Sequence, residues 1–308
     1  MHNPSQSAVL PFLQNTCAIV VTYYPDAGFR DRLERVLAQF PFVIVVDNGS
    51  QGVAAEMLHG LKDGRQVLLA VNNANLGVAV ALNQGVALAL QQGFEWGVLL
   101  DQDTLVFPDM LESLLAAHIE CGGGNALVGG NYHDVHRNRN FIECKNNGQG
   151  YKKRKTLITS GTLASLDLVT RIGGFREDYF IDSVDHEFCL RARSHGCTVV
   201  ITCKPVMSHS IGAPMESAGW LSKFTSFNHS PARKYYIARN TIATAKSYLI
   251  HEPAWAMRQV WRLIFDFCSI WFFEAEKPKK AMAFLMGITH GLVGKMGSID
   301  KAWPNGGR

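Results

Sequence analysis

Residues 96–104 read "WGVLLDQDT", a short apolar run that ends in Asp101 and Asp103, two carboxylates one residue apart. One can take a divalent cation while the other takes a ligand hydroxyl or a water on that cation. Carboxylate oxygens are the hard ligands that Mg²⁺ and Mn²⁺ prefer. Taken alone, the pair is equally an ordinary polar strand end. A third carboxylate of interest, Asp185, stands second in "VDHEFCLR", where helical spacing follows. A helix N-terminus favours a negative charge, and a carboxylate there can serve as a general base or merely cap the helix. His209, in "MSHSIG", ends an apolar run and is a possible imidazole ligand or phosphate hydrogen-bond donor; a structural histidine is the plain alternative.

The elements that must position these groups alternate at short intervals. "CAIVVTYY" (17–24), "FVIVVDNGS" (42–50), "RQVLLAVNN" and "WGVLLDQDT" read as strands; "FRDRLERVLAQF", "VAAEMLHGLKD", "LGVAVALNQGVALALQQG" and "PDMLESLLAAHIECG" read as helices. The strands are near-continuous apolar runs, as expected when helices cover both faces of a parallel sheet. Asp47, Asn48, Asp101 and Asp103 gather where strands end, the side on which open α/β sheets bind ligands. No G-x-G-x-x-G or G-x-x-x-x-G-K-[ST] follows the first strand, which disfavours a dinucleotide or P-loop fold.

From residue 125 short strands mix with polar loops, and the basic "YKKRK" reads either as a solvated loop or as a site for an anionic substrate or membrane surface. "DLVTRIGGF" reads as a short helix turning into a loop, and "CTVVITCKPVMSHSIG" as a strand and loop. Trp220, Phe224 and Phe227 are candidates to line an acceptor channel or a membrane-facing cleft, and Asn228, His229 or Ser230 to cap a helix near 231. The last third is helical. Its segment 254–273 is nearly long enough to span a bilayer, but Arg258, Arg262 and Asp266 recur every four residues on one face. Spanning would place those charges in hydrocarbon. The expectation is a helix that packs on a core or lies on an anionic membrane surface, aided by "EKPKK".

Bulk properties set wide bounds. The 308 residues carry 30 basic and 26 acidic side chains, a formal charge of +4, which argues against a nucleic-acid partner. Hydrophobic residues make up 47%, enough for a sizeable core. The seven cysteines show no CxxC and no framework spacing, so reduced thiols in a cytoplasmic protein are expected. The first fifteen residues lack the pattern of a signal peptide.

Taken in order, "VVTYYPD", "VVDNGS", "NNANLGVAVALNQG", "LLDQDT", "SGTLAS", "IGGFREDYFIDSVDHEFCLRARSHG" and "MSHSIG" resemble the inverting family 2 glycosyltransferases of the GT-A fold, over about residues 17–212. "LLDQDT", "FIDSVDHEFCLR" and "YYIARN" are most similar to the bacterial rhamnosyltransferase subgroup, which transfers L-rhamnose from dTDP-L-rhamnose in polysaccharide or lipopolysaccharide assembly.

The resemblance implies an α/β fold, with a mostly parallel nucleotide-sugar-binding sheet flanked by helices. It divides the chain into a GT-A catalytic domain over 1–215 and a C-terminal helical region, acceptor-binding or membrane-associating, over 216–308. It places Thr22, Tyr23 and Tyr24 near the nucleotide base, Asp47 at base or ribose, and Asn75, Leu76 and Gly77 on a loop closing over the nucleoside. Asp103 would bind Mg²⁺ or Mn²⁺ directly, Asp101 would sit nearer the ribose or the metal's water shell, and His209 near the metal or diphosphate. Asp185 would be the general base, with Asp182 as the competing acid; many relatives have Glu-Asp where this chain has Val184–Asp185. Arg191 would either touch phosphate or pair with Glu187.

The implied acceptor is a glycan or undecaprenyl-linked oligosaccharide, and the implied location is cytoplasmic, peripheral at the inner face of the membrane. Three rivals stand beside this reading: transfer from another nucleotide sugar such as a UDP-sugar, nucleotidyl transfer, and a non-catalytic nucleotide- or glycan-binding protein. Nucleotidyl transfer usually carries a glycine-rich basic signature after the first strand, and that is missing here.

Overall fold

The computed structural model describes residues 10–61, 66–144, 148–209 and 228–299. These fall in two compact units. One is drawn from Met1–Leu76, Val80–Phe175 and Phe188–Ser210, the other from Gly77–Ala79, Arg176–Glu187 and Ile211–Arg308.

The first unit is built on one sheet. In chain order its leading elements are β1 (Thr16–Thr22), α1 (Phe29–Leu37), β2 (Val43–Asp47), α2 (Val53–His59), β3 (Val67–Val71), α3 (Val78–Gln91) and β4 (Trp96–Asp101). There follow β5 (Leu105–Val106), α4 (Met110–Glu120), β6 (Ala126–Asp134), β7 (Arg139–Asn140), β8 (Tyr151–Lys153), β9 (Thr162–Ser165), α5 (Leu166–Arg171), α6 (Val184–Ser194) and β10 (Thr198–His209); Val78–Ala79 of α3 and Val184–Glu187 of α6 are counted with the second unit. The strand order is β3-β2-β1-β4-β9-β6-β10-β5, with β7 on β6 and β8 on β10. β3, β2, β1 and β4 are parallel, as their unbroken apolar runs require. β9 pairs antiparallel with both β4 and β6, so the sheet is mixed. The fold is thus a GT-A-like sheet flanked by helices.

Register matters more for chemistry than strand order. Thr22 lies opposite Asp47, and Val21 opposite Asp101, so the polar ends of β1, β2 and β4 arrive side by side. Their apolar bodies, among them Ala18, Val20, Val43, Val45, Val98 and Leu100, are buried in one core with Phe29, Leu33 and Leu114 of the covering helices.

One expectation fails in this unit. Cys144 is joined to Cys203 of β10 in a disulfide, with a Cα–Cα separation of 5.6 Å. The seven thiols are therefore not all reduced. The pairing has no sequence signature because it depends on tertiary neighbours. Asn131 of β6 donates through Nδ2 both to the Ile142 carbonyl at 3.1 Å and to the Cys203 carbonyl at 2.9 Å, which brings the two segments together.

The second unit holds α7 (Pro231–Tyr248), α8 (Pro253–Phe273) and α9 (Lys277–Val293). Ser230 caps α7 by accepting from the Arg233 amide, and Pro231 starts it, as the residue types predict. Gly287 and Gly291 let α9 approach α7 closely; a side chain at either would run into the carbonyls of Tyr235 and Arg239. Charges are buried here in pairs. Lys234 binds Asp266 at 2.7 Å and Glu274 at 2.8 Å, and Lys280 binds Glu274 at 3.0 Å.

The expected charged stripe on α8 is broken by this network. Each four-residue step advances about 40° around a helix. Asp266 accordingly turns inward to Lys234, while Arg258 and Arg262 stay exposed among Met257, Trp261, Ile264 and Phe265. Among the described residues no helix is long and apolar enough to cross a membrane.

Candidate active site

The ends of β1 and β2 carry the first cluster. The Asp47 carboxylate is buried and fully engaged: Oδ1 accepts from the hydroxyls of Thr22 at 3.0 Å and Ser50 at 2.6 Å, and Oδ2 from the Ser50 amide at 2.8 Å. The Ser50 hydroxyl also accepts from the Tyr24 amide at 2.7 Å. Thr22, Asp47 and Tyr24 thus form one bonded group. Tyr23 and Tyr24 themselves are exposed, edge to face with ring centroids 4.8 Å apart, so their aromatic surface is available to a planar ligand.

The loop after β3 is held by amides. Asn48 donates to the Asn75 side chain at 2.9 Å and accepts from the Leu76 amide at 3.0 Å and the Asn72 side chain at 3.2 Å. Asn72 and Gln84 exchange hydrogen bonds at 2.8 and 3.0 Å. Gly77 closes the loop with φ +91°, and a Cβ there would fall 2.7 Å from the Phe180 carbonyl oxygen. Only glycine fits both demands.

The D-x-D segment is positioned by its middle residue, which sequence reasoning passed over. Gln102 accepts from the Tyr23 amide at 2.7 Å and donates to the Tyr23 carbonyl at 3.1 Å, imitating a strand pairing beyond the end of β1. Arg32 donates to the Gln102 carbonyl at 2.8 Å. Buried hydroxyls support the other side. Ser160 accepts from the Asp101 amide at 3.1 Å and meets the Thr104 hydroxyl at 2.5 Å, which lies 3.3 Å from Nδ1 of His209. Tyr132 sets its ring edge to face on the His209 imidazole, centroids 5.8 Å apart. His209 follows Asp103 by more than a hundred residues, yet the two side chains are 3.8 Å apart.

Asp101, Asp103 and His209 consequently offer ligand atoms that all lie within 4.8 Å of one another. Two carboxylates and an imidazole make a donor set suited to Mn²⁺ or Mg²⁺. The residues present fit a divalent metal, and that ion, when bound, would neutralise a departing diphosphate.

Asp185 lies in the first turn of α6, and its Oδ1 accepts from the adjacent His186 amide at 2.7 Å. Asp182 is in a different state. Its backbone is left-handed, Arg233 donates to Oδ1 at 3.3 Å, and buried Oδ2 finds no partner among the described residues. Burial pushes the Asp182 carboxyl above its ordinary range, against the pull of Arg233. Arg191 donates to the carbonyls of Ile172 and Gly174, tying α6 to the Gly173–Gly174 turn. Trp220, Phe224 and Phe227 lie outside the described residues.

Comparison with known proteins bears on the family and the fold. Residues 17–180 match the family model described as glycosyl transferase family 2. The dTDP-rhamnosyl transferase RfbF of Shigella flexneri is 30% identical over 243 residues, covering 73% of this chain and 78% of that protein. Among solved structures, residues 1–349 of S. aureus TarS superpose with a TM-score of 0.58 at 14% identity, covering 90% of this chain and 80% of that one. Against the longer TarS structure the chain spans 44% of the length. The mannosyltransferase PcManGT of Pyrobaculum calidifontis, solved with GDP-Man and Mn²⁺, gives a TM-score of 0.53 at 14% identity over 91% of this chain and 88% of that one.

The chain belongs to glycosyl transferase family 2. It is a metal-assisted inverting glycosyltransferase that takes its sugar from a nucleotide donor.

Proposed function

We propose that the chain transfers L-rhamnose from dTDP-L-rhamnose to a hydroxyl of a glycan or undecaprenyl-linked oligosaccharide. The observation that carries the transfer is the convergence of Asp101, Asp103 and His209 at one point beside the ends of β1 and β4. In this reading Asp103 and His209 hold Mg²⁺ or Mn²⁺, and Asp101 serves the ribose or the metal's water. Thr22, Tyr23, Tyr24, Asp47, Asn75 and Gly77 form the nucleoside end. Asp185 accepts the proton of the attacking hydroxyl, so that the acceptor oxygen bonds to the anomeric carbon as the diphosphate leaves. Arg191 fits a phosphate role least, because two of its nitrogens already serve backbone carbonyls.

The sugar rests on the rhamnosyltransferase-like motifs "LLDQDT", "FIDSVDHEFCLR" and "YYIARN" and on likeness to RfbF. A UDP-sugar is the second reading, since the Thr22–Asp47–Ser50 group and the Asn48–Asn75 pair contain nothing specific to thymine. A panel of dTDP-, UDP- and GDP-sugars, read by release of the nucleoside diphosphate with a lipid-linked glycan acceptor, decides between them. Turnover with dTDP-L-rhamnose at least tenfold above the rest is expected, and preference for a UDP-sugar would replace the donor while keeping the enzyme class.

The proposed division of labour is a catalytic domain over 1–215 and a helical region over 216–308 that meets the acceptor or membrane. The exposed Met257, Trp261, Ile264, Phe265 and Phe272 beside Arg258 and Arg262 favour peripheral attachment to an anionic leaflet at the inner face of the cytoplasmic membrane. High salt or mild alkali should release the protein from membranes. A requirement for detergent would exclude this mode of attachment.

A further inference from the structure

The motif "YYIARN" in α7 has no part in the site described so far, yet it holds the largest fully buried polar side chain of the described residues, Arg239, followed by the equally buried Asn240. Among the described residues neither forms an ion pair. Both point their donors at one stretch of backbone. Arg239 donates through Nη2 to the carbonyls of Asp178 at 3.1 Å and Tyr179 at 3.0 Å, and through Nη1 to Gly297. Asn240 shares its amide hydrogens among the carbonyls of Tyr179 at 2.9 Å, Ile181 at 2.7 Å and Asp182 at 2.9 Å. Arg239 Nε donates to the Asn240 side-chain oxygen at 2.8 Å, so the two act as one unit.

That backbone stretch is unusual in itself. Phe180, Asp182 and Ser183 all have positive φ, at +65°, +63° and +59°. Non-glycine residues reach this region only when their surroundings hold them there. The irregular path turns carbonyls inward that no helix or strand can satisfy, and buried carbonyls need donors. α6 begins at Val184, immediately after this stretch, and Asp185 is its second residue.

We propose that Arg239 and Asn240 are positioning residues of the transfer step, fastening the left-handed segment 178–183 and so fixing where α6 starts and where it presents Asp185. The inference rests on the reading of Asp185 as general base. Its physical content is that Arg239 and Asn240 act through Asp185 and not on the donor.

The test is a double-mutant cycle in the full-length protein. Single-turnover transfer, Mg²⁺-dependent binding of dTDP and thermal melting are measured for Asn240→Ala, Asp185→Asn and the pair. Asn240→Ala should slow transfer by about 10- to 100-fold, the scale of a misplaced catalytic group, with dTDP affinity within about twofold of wild type. Added to Asp185→Asn, it should cost almost nothing more, because the group it positions is already gone.

Thr244→Val is the control for packing. Thr244 is buried on the same helix and meets the Tyr179 hydroxyl at 2.9 Å without touching the 178–183 carbonyls. It should lower melting and leave the transfer rate unchanged. Where Asn240→Ala does not fold, Asn240→Ser, which keeps a short donor, replaces it in the same cycle.

An equal slowing by Asn240→Ala in the wild-type and Asp185→Asn backgrounds would overturn the inference alone. Full transfer activity in Asn240→Ala with Asp185→Asn impaired would do the same. Wild-type transfer by Asp185→Asn would overturn the inference together with the reading of the base.

Discussion

Replacing Asp185 with Asn is expected to leave fold and nucleotide affinity intact while slowing transfer roughly 10²- to 10⁴-fold, the usual scale for a positioned acid or base. The amide keeps the shape of the carboxylate and its oxygen can still accept from the His186 amide. It cannot usefully take a proton. A purely structural role predicts a different result, because a lost helix cap costs about 1 kcal/mol of stability and leaves the chemistry intact. Asp182→Asn is the necessary companion. The Asp182 carboxyl has one oxygen bonded to Arg233 and the other shut away from solvent, which leaves it the less accessible of the two acids to an attacking hydroxyl. It should transfer sugar at near the wild-type rate. The reverse pattern in single-turnover transfer from saturating donor would reassign the base to Asp182. If neither substitution slows transfer, proton abstraction by this helix is excluded.

The second large effect is expected at the metal. Asp103→Ala should abolish most transfer and weaken Mg²⁺-dependent binding of dTDP or its sugar conjugate, with little loss of stability. The last part follows from exposure: the Asp103 side chain is 52% accessible, and exposed substitutions usually stay within about 0.5 kcal/mol. His209 keeps its place without Asp103, because Thr104 and Tyr132 contact its ring from the protein side. A two-ligand remnant would therefore survive in a well-folded protein. Calorimetric titration with and without Mg²⁺ separates the outcomes. Equal metal-dependent binding by the variant and the wild type would remove Asp103 from the metal's ligands.

How much of this was readable beforehand depended on the range of each signal. Strands β1 to β4 and the helices between them announce themselves through local periodicity, and the structure places them within a few residues of the expected bounds. Asp101 and Asp103 were visible because strand-end carboxylates stand out against an apolar run. His209 was picked out as a possible ligand by its place at the end of an apolar run, but only likeness to a family set it beside the metal, since a lone histidine has no ligand spacing. What stayed hidden were partnerships across the chain. Gln102 is the unremarkable middle of a motif until the end of β1 lies beside it. Asn48, Asn72 and Gln84 look like loop polarity, yet they bond to one another and to the loop that ends at Gly77. Antiparallel β9 carries no mark distinguishing it from a parallel strand. Cys144 and Cys203 lie 59 residues apart and meet through Asn131, which nothing in cysteine spacing could suggest.

α8 departs from the usual order of a surface helix at several positions, although Trp255, Leu263 and Ile270 are buried in the ordinary way. It turns Asp266 inward to Lys234, which also holds Glu274 just beyond the helix end, and carries Trp261, Phe265 and Phe272 outward. Ionic strength acts very differently on the two sides. Dissolved salt screens charges that water can reach but has little effect on pairs shut away from it. A brine strong enough to neutralise Arg258 and Arg262 would leave the Lys234–Glu274 lock closed. Under the proposed peripheral attachment, the helix would then lose its electrostatic hold on a lipid surface without losing its shape. Lowering the salt again should let the same molecules return, so that attachment behaves as a reversible adsorption whose isotherm is set by ions and whose adsorbent stays folded throughout.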